Sequence, residues 1–176
     1  MKIGIWATAV NGKGSAIVSS GLILSLLQKL KENQIEEVQI YLTRDTTLEK
    51  RLIKNLKNQK GQILKIIYVN KFLNNYFFQS IIRLFFCPNV ELLYVFDDYP
   101  LLFHKKQILF LQQALLLKQI EYLTFSEFKL WLKQKLFAIL ILNSGIIYTC
   151  QTNHMRLLFK NKFGKNSFVL RHGPFY

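Results

Sequence analysis

The chain has 176 residues, of which 51% are hydrophobic and 19% are charged. This length suffices for one domain with a substantial core but not for two full α/β domains, and the composition excludes a disordered chain. Two cysteines, Cys87 and Cys150, are too few for a disulfide framework or a metal cluster, so we expect a reducing compartment. The sequence leaves open whether these two cysteines form a disulfide bond with each other.

The positive charge is large and is unevenly distributed. The formal net charge is +14, and no acidic residue lies between Glu49 and Glu91 or after Glu127. Each of these two stretches carries eight lysines and arginines. Such a distribution favours an anionic partner: a phospholipid surface, a phosphorylated acceptor or a nucleic acid. The alternative is a basic surface that is simply solvated.

In chain order, short apolar runs alternate with segments of helical periodicity. In the first half of the chain the pattern predicts a strand at 2–7, a helix from Ser15 to about 33, a strand at 38–42, and a helix that is capped by Thr46 or Thr47 and ended by Gly61. A strand at 63–69, a helix at 71–86 and strands at 91–96 and 107–111 follow. The rest of the chain is predicted to form one or two helices within 112–142, a strand at 146–149, a helix at 153–163 and a strand at 167–170.

This alternation, with strands that are apolar throughout, predicts an α/β fold: a Rossmann-like parallel sheet with helices on both faces. Ligands of such sheets bind outside the carboxyl ends of the strands. We therefore expect a site formed by the loops at 8–14, 43–46, 97–104 and 151–154. The uncharged window at 136–153 is interrupted by polar residues, so we interpret it as a helix end, a turn and a buried strand rather than a membrane span.

A glycine-containing loop follows the first strand and precedes the first helix. Gly12, Lys13, Gly14 and Ser15 are predicted to bind substrate there, because glycines let the backbone approach a ligand and a helix N-terminus favours an anion. Ser15 is expected to cap the helix. The sequence matches neither the P-loop pattern nor the dinucleotide-binding glycine pattern, and a tight structural turn is the alternative.

Two adjacent carboxylates, Asp97 and Asp98, follow the fourth predicted strand. They can accept hydrogen bonds from sugar hydroxyls, and Asp98 is also a candidate catalytic base together with His104. We expect both acids to face the glycine loop across the sheet edge, with Asp98 as the main contact. The alternative is a polar turn that is held by its acids and closed by Pro100. No histidine or cysteine has metal-ligand spacing, so no metal site is expected.

Lysines and aromatic residues alternate between Lys129 and Phe137, around Trp131. Mixed basic and aromatic helices can lie on anionic membranes. The favoured alternative is that most of these aromatic side chains belong to the core.

Four segments, taken in order, form a pattern that resembles one known family. They are the loop from Asn11 to Gly14, the stretch 95–112 with its Asp-Asp turn and its apolar strand ending in Gln112, the stretch 146–155 with Gln151-Thr152, and the stretch 168–174. Together they resemble the first domain of bacterial family-four glycosyltransferases, which have the GT-B fold. In that family the loop is usually of the Gly-Gly-x-Gly type, and Asn11 stands here in place of its first glycine.

The resemblance implies that this domain binds the acceptor, whereas a second domain binds the nucleotide-sugar donor. The sequence stops at Tyr176, where a second domain is expected to begin. We therefore expect residues 1–176 to form a single acceptor-side domain that binds no cofactor. Sugar transfer would then need a donor-domain partner chain, or the gene is truncated, and the isolated chain is expected to be inactive.

The expected function is acceptor binding in the synthesis of a cell-surface glycan or glycolipid. The expected location is the cytoplasm, with peripheral binding to the anionic inner face of the cytoplasmic membrane. One alternative is a non-catalytic Rossmann-like binding or interaction subunit. Another is a nucleotide- or nucleic-acid-binding protein, but no known nucleic-acid motif supports it, so a nucleic-acid partner is not favoured.

Overall fold

The computed structural model describes residues 1–10, 12–33, 35, 37–56, 63–69, 85–97, 99–112, 117, 125–141 and 145–170. Most of the helix predicted at 71–86 lies outside these residues. Asn11, Asp98 and the segment 171–176, which includes His172, lie outside them as well.

Seven strands form one sheet in which every neighbouring pair is parallel. They are β1 (Lys2–Ala7), β2 (Glu37–Leu42), β3 (Ile63–Tyr68), β4 (Leu92–Val95), β5 (Gln107–Leu111), β6 (Ile146–Cys150) and β7 (Phe168–Val169). Their order in the sheet is β3-β2-β1-β4-β5-β6-β7. The predicted α/β, Rossmann-like parallel sheet is confirmed.

Four helices of the described residues cover the two faces of this sheet. They are α1 (Lys13–Glu32), α2 (Thr47–Leu56), α3 (Phe125–Ile141) and α4 (Asn153–Phe163). Ile23 and Leu27 of α1 pack with Leu48 of α2 in one apolar cluster, whereas Phe137 of α3 and Phe159 of α4 belong to the other cluster. Helices thus lie on both faces, as the apolar strands predicted, because such strands must be shielded from water on either side.

The caps of the helices explain where they begin and end. Helix α1 begins at Lys13, so the prediction that Ser15 caps it is wrong: Gly12 is the cap residue, with extended backbone at φ −71° and ψ 142°. Ser15 lies inside the first turn and donates its hydroxyl to the carbonyl of Gly12 at 2.9 Å. For α2, the Oγ1 of Thr46 accepts from the backbone N–H of Glu49 at 3.1 Å, which confirms Thr46 as a cap.

The connection between β4 and β5 crosses the sheet without a described helix. It runs from the carboxyl end of β4 to the amino end of β5, and it buries Tyr99 and Leu101 in the cluster that also holds Phe137. Gln107 fixes this segment: its Oε1 accepts from the N–H of Leu101 at 2.7 Å, and its Nε2 donates to the carbonyl of Leu101 at 2.6 Å. Two buried hydrogen bonds to one backbone unit hold the segment in place.

The uncharged window at 136–153 falls on the end of α3 and on β6, as predicted for a buried helix end and strand. None of the described helices combines the length and the apolar character that crossing a bilayer requires.

The two cysteines are free thiols in different surroundings. Cys87 is exposed, whereas Cys150 is buried at the end of β6 with its Sγ 3.3 Å from the Oγ of Ser167. Burial raises the pKa of the Cys150 thiol. The bond that the sequence left open between these residues is therefore not formed.

We expect a thiol reagent to modify one cysteine in the native chain and two after unfolding. Burial excludes the reagent from Cys150, and the raised pKa keeps that thiol protonated and unreactive. An Ellman titration with and without denaturant measures both numbers. In the native state a Cys87→Ser variant should not react, and rapid reaction of that variant would contradict the assignment.

Candidate functional site

The strand order reverses between β1 and β4, which are neighbours in the sheet although β2 and β3 separate them in the chain. At such a switch point the loops leaving the carboxyl ends diverge to opposite faces, and a crevice opens between them. The two strands are parallel, with Ile3 opposite Leu92 and Trp6 opposite Val95. The glycine loop and Asp97 therefore leave the same edge of the sheet.

A pocket of about 310 Å³ occupies this crevice. Its lining comes from the segments that follow β1, β4, β5 and β6, namely Ala9, Val10, Gly14, Ser15, Val18, Phe96, Asp97, Gln112 and Gln151. Three of the predicted substrate-binding residues, Gly14, Ser15 and Asp97, thus meet at one pocket. Gly12 and Lys13 are exposed beside it, and Asp98 lies outside the described residues.

Asp97 holds the loops around the pocket together. Its buried carboxylate accepts from the hydroxyl of Thr8 at 2.7 Å and from the backbone N–H of Ala9 at 2.8 Å. The hydroxyl of Thr43 donates in turn to the carbonyl of Thr8 at 2.7 Å. One carboxylate and one hydroxyl therefore tie together the loops after β1, β2 and β4. This geometry matches the alternative in which the acid holds the turn.

The N-terminus of α1 gives the pocket its positive end. Gly12 has no side chain with which to cap the helix, and the first turn contains no acidic residue. Lys13 adds a cation to the partial positive charge of the uncapped N–H groups. A Cβ placed on Gly14 would meet no atom within 4 Å, so packing does not require glycine there. The absence of a side chain at Gly14 instead keeps the pocket open.

Two glutamines complete the lining. Gln151 lies in the predicted loop at 151–154 but was not singled out as a binding residue, and Gln112 lies outside the predicted loops. Gln112 and Gln151 come immediately after the last residues of β5 and β6. The Nε2 of Gln112 donates to the Oγ of Ser19 at 2.6 Å and lies 3.3 Å from the carbonyl oxygen of Phe96. A polar residue directly after an apolar strand was the signal that could have identified both.

His104 lies at the opposite edge of the sheet from the pocket. It precedes β5, and its Nε2 is 2.8 Å from the carbonyl oxygen of Val90, which precedes β4. The expectation that His104 lies near the cleft is therefore wrong, because the segment after β4 crosses the whole sheet before reaching it. His104 is buried there, and its Nδ1 has no hydrogen-bond partner among the described residues.

The described lining offers one carboxylate and several neutral hydrogen-bonding groups. Within the described lining, Asp97 is the one ionisable side chain, and both of its oxygens already accept hydrogen bonds. The remaining polar groups are a hydroxyl, two amides and helix N–H groups. Across the part of the chain that the structure describes, no three His, Cys, Asp or Glu side chains are grouped so that they could hold a metal ion.

Fold and pocket together define a doubly wound, Rossmann-like α/β domain with a crevice at its switch point. Comparisons with known protein families, with curated proteins and with solved structures gave no match. The class of the fold is thus established without an assignment to a family.

Proposed function

We propose that this chain is the acceptor-binding domain of a GT-B-type glycosyltransferase that builds a cell-surface glycan or glycolipid. The observation that carries the proposal is the open polar pocket at the switch point, with Gly14 and Ser15 on one side and Asp97 on the other. The resemblance of the sequence to family-four enzymes supports the same function.

The chemistry of the lining suits a saccharide. Sugar hydroxyls both donate and accept hydrogen bonds. The amide of Gln151 offers a donor and an acceptor, and Gln112 offers its amide oxygen as an acceptor, since its nitrogen already donates to Ser19 and Phe96. Phe96 and Val18 supply apolar surface for the C–H face of a sugar ring. Lys13 and the N-terminus of α1 favour an acceptor that also carries a phosphate.

In this proposal the nucleotide-sugar donor binds to a second domain, and the chain holds no cofactor of its own. The second candidate is a non-catalytic Rossmann-like binding or interaction subunit. The hydrogen bonds of Asp97 favour this second candidate. Both oxygens of its carboxylate already accept from Thr8 and Ala9, and the described lining has no other ionisable side chain for proton transfer. The two candidates differ in whether the pocket binds saccharide.

We expect Gly14→Leu to fold normally and to weaken saccharide binding by about tenfold or more, because the new side chain fills space that the ligand would use. Stability should be equal or slightly higher, since leucine favours the helix more than glycine does and the Cβ meets nothing. The measurement is binding of the purified chain to an array of cell-surface oligosaccharides, with affinities of the bound ones by calorimetry.

The matched control is Ser25→Leu, which adds the same side chain at an exposed position of the same helix. It should bind the array as the unaltered chain does. If no oligosaccharide binds the unaltered chain, or if Gly14→Leu binds as tightly as the control, the acceptor site is not this pocket.

A further inference from the structure

Helix α3 is apolar on both of its faces, although it lies on the surface of the domain. Phe137 and Leu140 are buried against the sheet. On the other side Phe128, Trp131, Leu132 and Ile139 are exposed, and the exposed fraction of Ile139 reaches 66%. A helix that is apolar on all sides is normally buried within the protein or by a partner. We therefore expect a partner to cover the outer face of α3.

The exposed residues of α3 form one continuous stripe. Together with Lys135 they fall at positions i, i+3, i+4, i+7 and i+11, which is the spacing of a single helix face. The rings of Phe128 and Trp131 are stacked with centroids 5.8 Å apart, and the Nζ of Lys135 lies 5.6 Å from the Trp131 ring. We call this set (Phe128, Trp131, Leu132, Lys135 and Ile139) the outer stripe.

Helix α4 extends the same surface. It packs beside α3, with the rings of Phe137 and Phe163 5.6 Å apart and the Nζ of Lys162 2.9 Å from the Oε1 of Gln134. Both helices cover the same side of the sheet, so their outer faces point the same way. The outer face of α4 adds exposed Arg156, Leu157 and Lys160.

The charge of this surface determines what can cover it. Glu127 of α3 precedes the outer stripe, and residues 128–170 contain no acidic side chain, so every charge on the outer stripe and on the outer face of α4 is positive. We infer that these two outer faces dock on an anionic phospholipid membrane, with the outer stripe at the boundary between headgroups and acyl chains. Aromatic and aliphatic side chains enter that boundary, while lysine and arginine remain among the phosphates.

A phospholipid membrane fits these outer faces better than a nucleic acid does, because a nucleic acid offers anionic charge but little apolar surface for Ile139 and Leu157. The inference goes beyond the proposed function and is independent of it, because the pocket lies at the carboxyl edge of the sheet and not on the outer faces of α3 and α4. A membrane seated on this surface would hold the domain beside lipid-linked molecules.

The first test uses the fluorescence of the two tryptophans. Trp6 is fully buried, whereas Trp131 is exposed on the outer stripe. Vesicles of equal parts phosphatidylcholine and phosphatidylglycerol should shift the emission to shorter wavelength, and vesicles of phosphatidylcholine alone should not. The shift should shrink as salt is added. It should vanish in Trp131→Phe, which retains an apolar ring and should still sediment with the anionic vesicles.

The second test compares surface variants by co-sedimentation with the same vesicles. Trp131→Ser with Ile139→Ser should weaken binding about tenfold, because apolar surface no longer leaves water. Lys135→Gln and Lys160→Gln should weaken it about fivefold each, since each cation near such a surface contributes on the order of 1 kcal/mol. The matched control, Ile17→Ser with Lys31→Gln, changes exposed residues of α1 on the other face of the sheet and should bind normally.

Unchanged binding of the α3 variants, or equal binding to neutral and anionic vesicles, would overturn the inference. The inference would also be overturned if the unaltered chain does not bind vesicles but self-associates or binds nucleic acid, and the stripe variants abolish that association. The vesicles contain no saccharide, and Gly14→Leu should bind them normally, so failure here and failure of the proposed function are distinguishable.

Discussion

Asp97→Ala should lower the free energy of unfolding by about 3 kcal/mol. The variant leaves the hydroxyl of Thr8 and the N–H of Ala9 without the charged acceptor that they share, and hydrogen bonds to charged groups contribute about 1.5–3 kcal/mol each. Water can reach the part-buried Ala9 and recover some of the loss. Urea unfolding followed by circular dichroism measures the difference.

Asp97→Asn should cost less, about 1 kcal/mol, because its amide oxygen can still accept from Ala9 while the Thr8 hydroxyl turns to accept from the amide nitrogen. This order of effects follows from a carboxylate that holds loops together. Were Asp97 mainly a ligand for substrate, the Asn variant would lose saccharide binding at full stability, which is the outcome that contradicts our account.

The control for Asp97 is Glu32→Gln. Glu32 is exposed at the end of α1, and the hydrogen bond and charge of Lys29 lower the pKa of its carboxyl. An exposed pair of this kind contributes little to stability, so the variant should unfold almost as the unaltered chain does. A large effect of Glu32→Gln would show that net charge, and not the Asp97 hydrogen bonds, governs the measurement.

Phe159→Ala should have the largest effect that we predict, a loss of about 3–5 kcal/mol in the free energy of unfolding. Phe159 is fully buried where α4 packs on β6, with ring centroids 5.0 Å from Tyr148 and 5.3 Å from Phe163. Truncation removes buried apolar surface and leaves a cavity that rigid neighbouring rings cannot fill. Thermal or urea unfolding reports the loss.

A matched control is Phe168→Ala on the edge strand β7, where the side chain is 67% exposed. It should change stability by roughly 0.5 kcal/mol or less. Similar losses in both variants would mean that α4 is not fixed to the sheet by Phe159. Gln151 lines the pocket and directly precedes Thr152, the cap of α4. The Phe159 variant should therefore also weaken the binding of any ligand at the pocket.

The sequence alone determined the elements of the fold with good accuracy. The predicted strands at 2–7 and 107–111 and the helix at 153–163 coincide with β1, β5 and α4. These boundaries are local properties: apolar runs end at polar or glycine residues, and Thr152 and Gly164 mark the two ends of α4. The cap of α1 was predicted at Ser15, three residues too late, because an extended Gly12 rather than a side chain forms it.

Only the tertiary structure decided which residues meet. Whether a strand lies next to its neighbour in the chain depends on packing across the whole sheet, so the switch point between β1 and β4 could not be deduced from local pattern. That order places Asp97 against Thr8, 89 residues away in sequence, and brings Gln112 and Gln151 to one pocket. Long-range contacts of this kind leave no periodic signal in a single sequence, whereas burial and capping do.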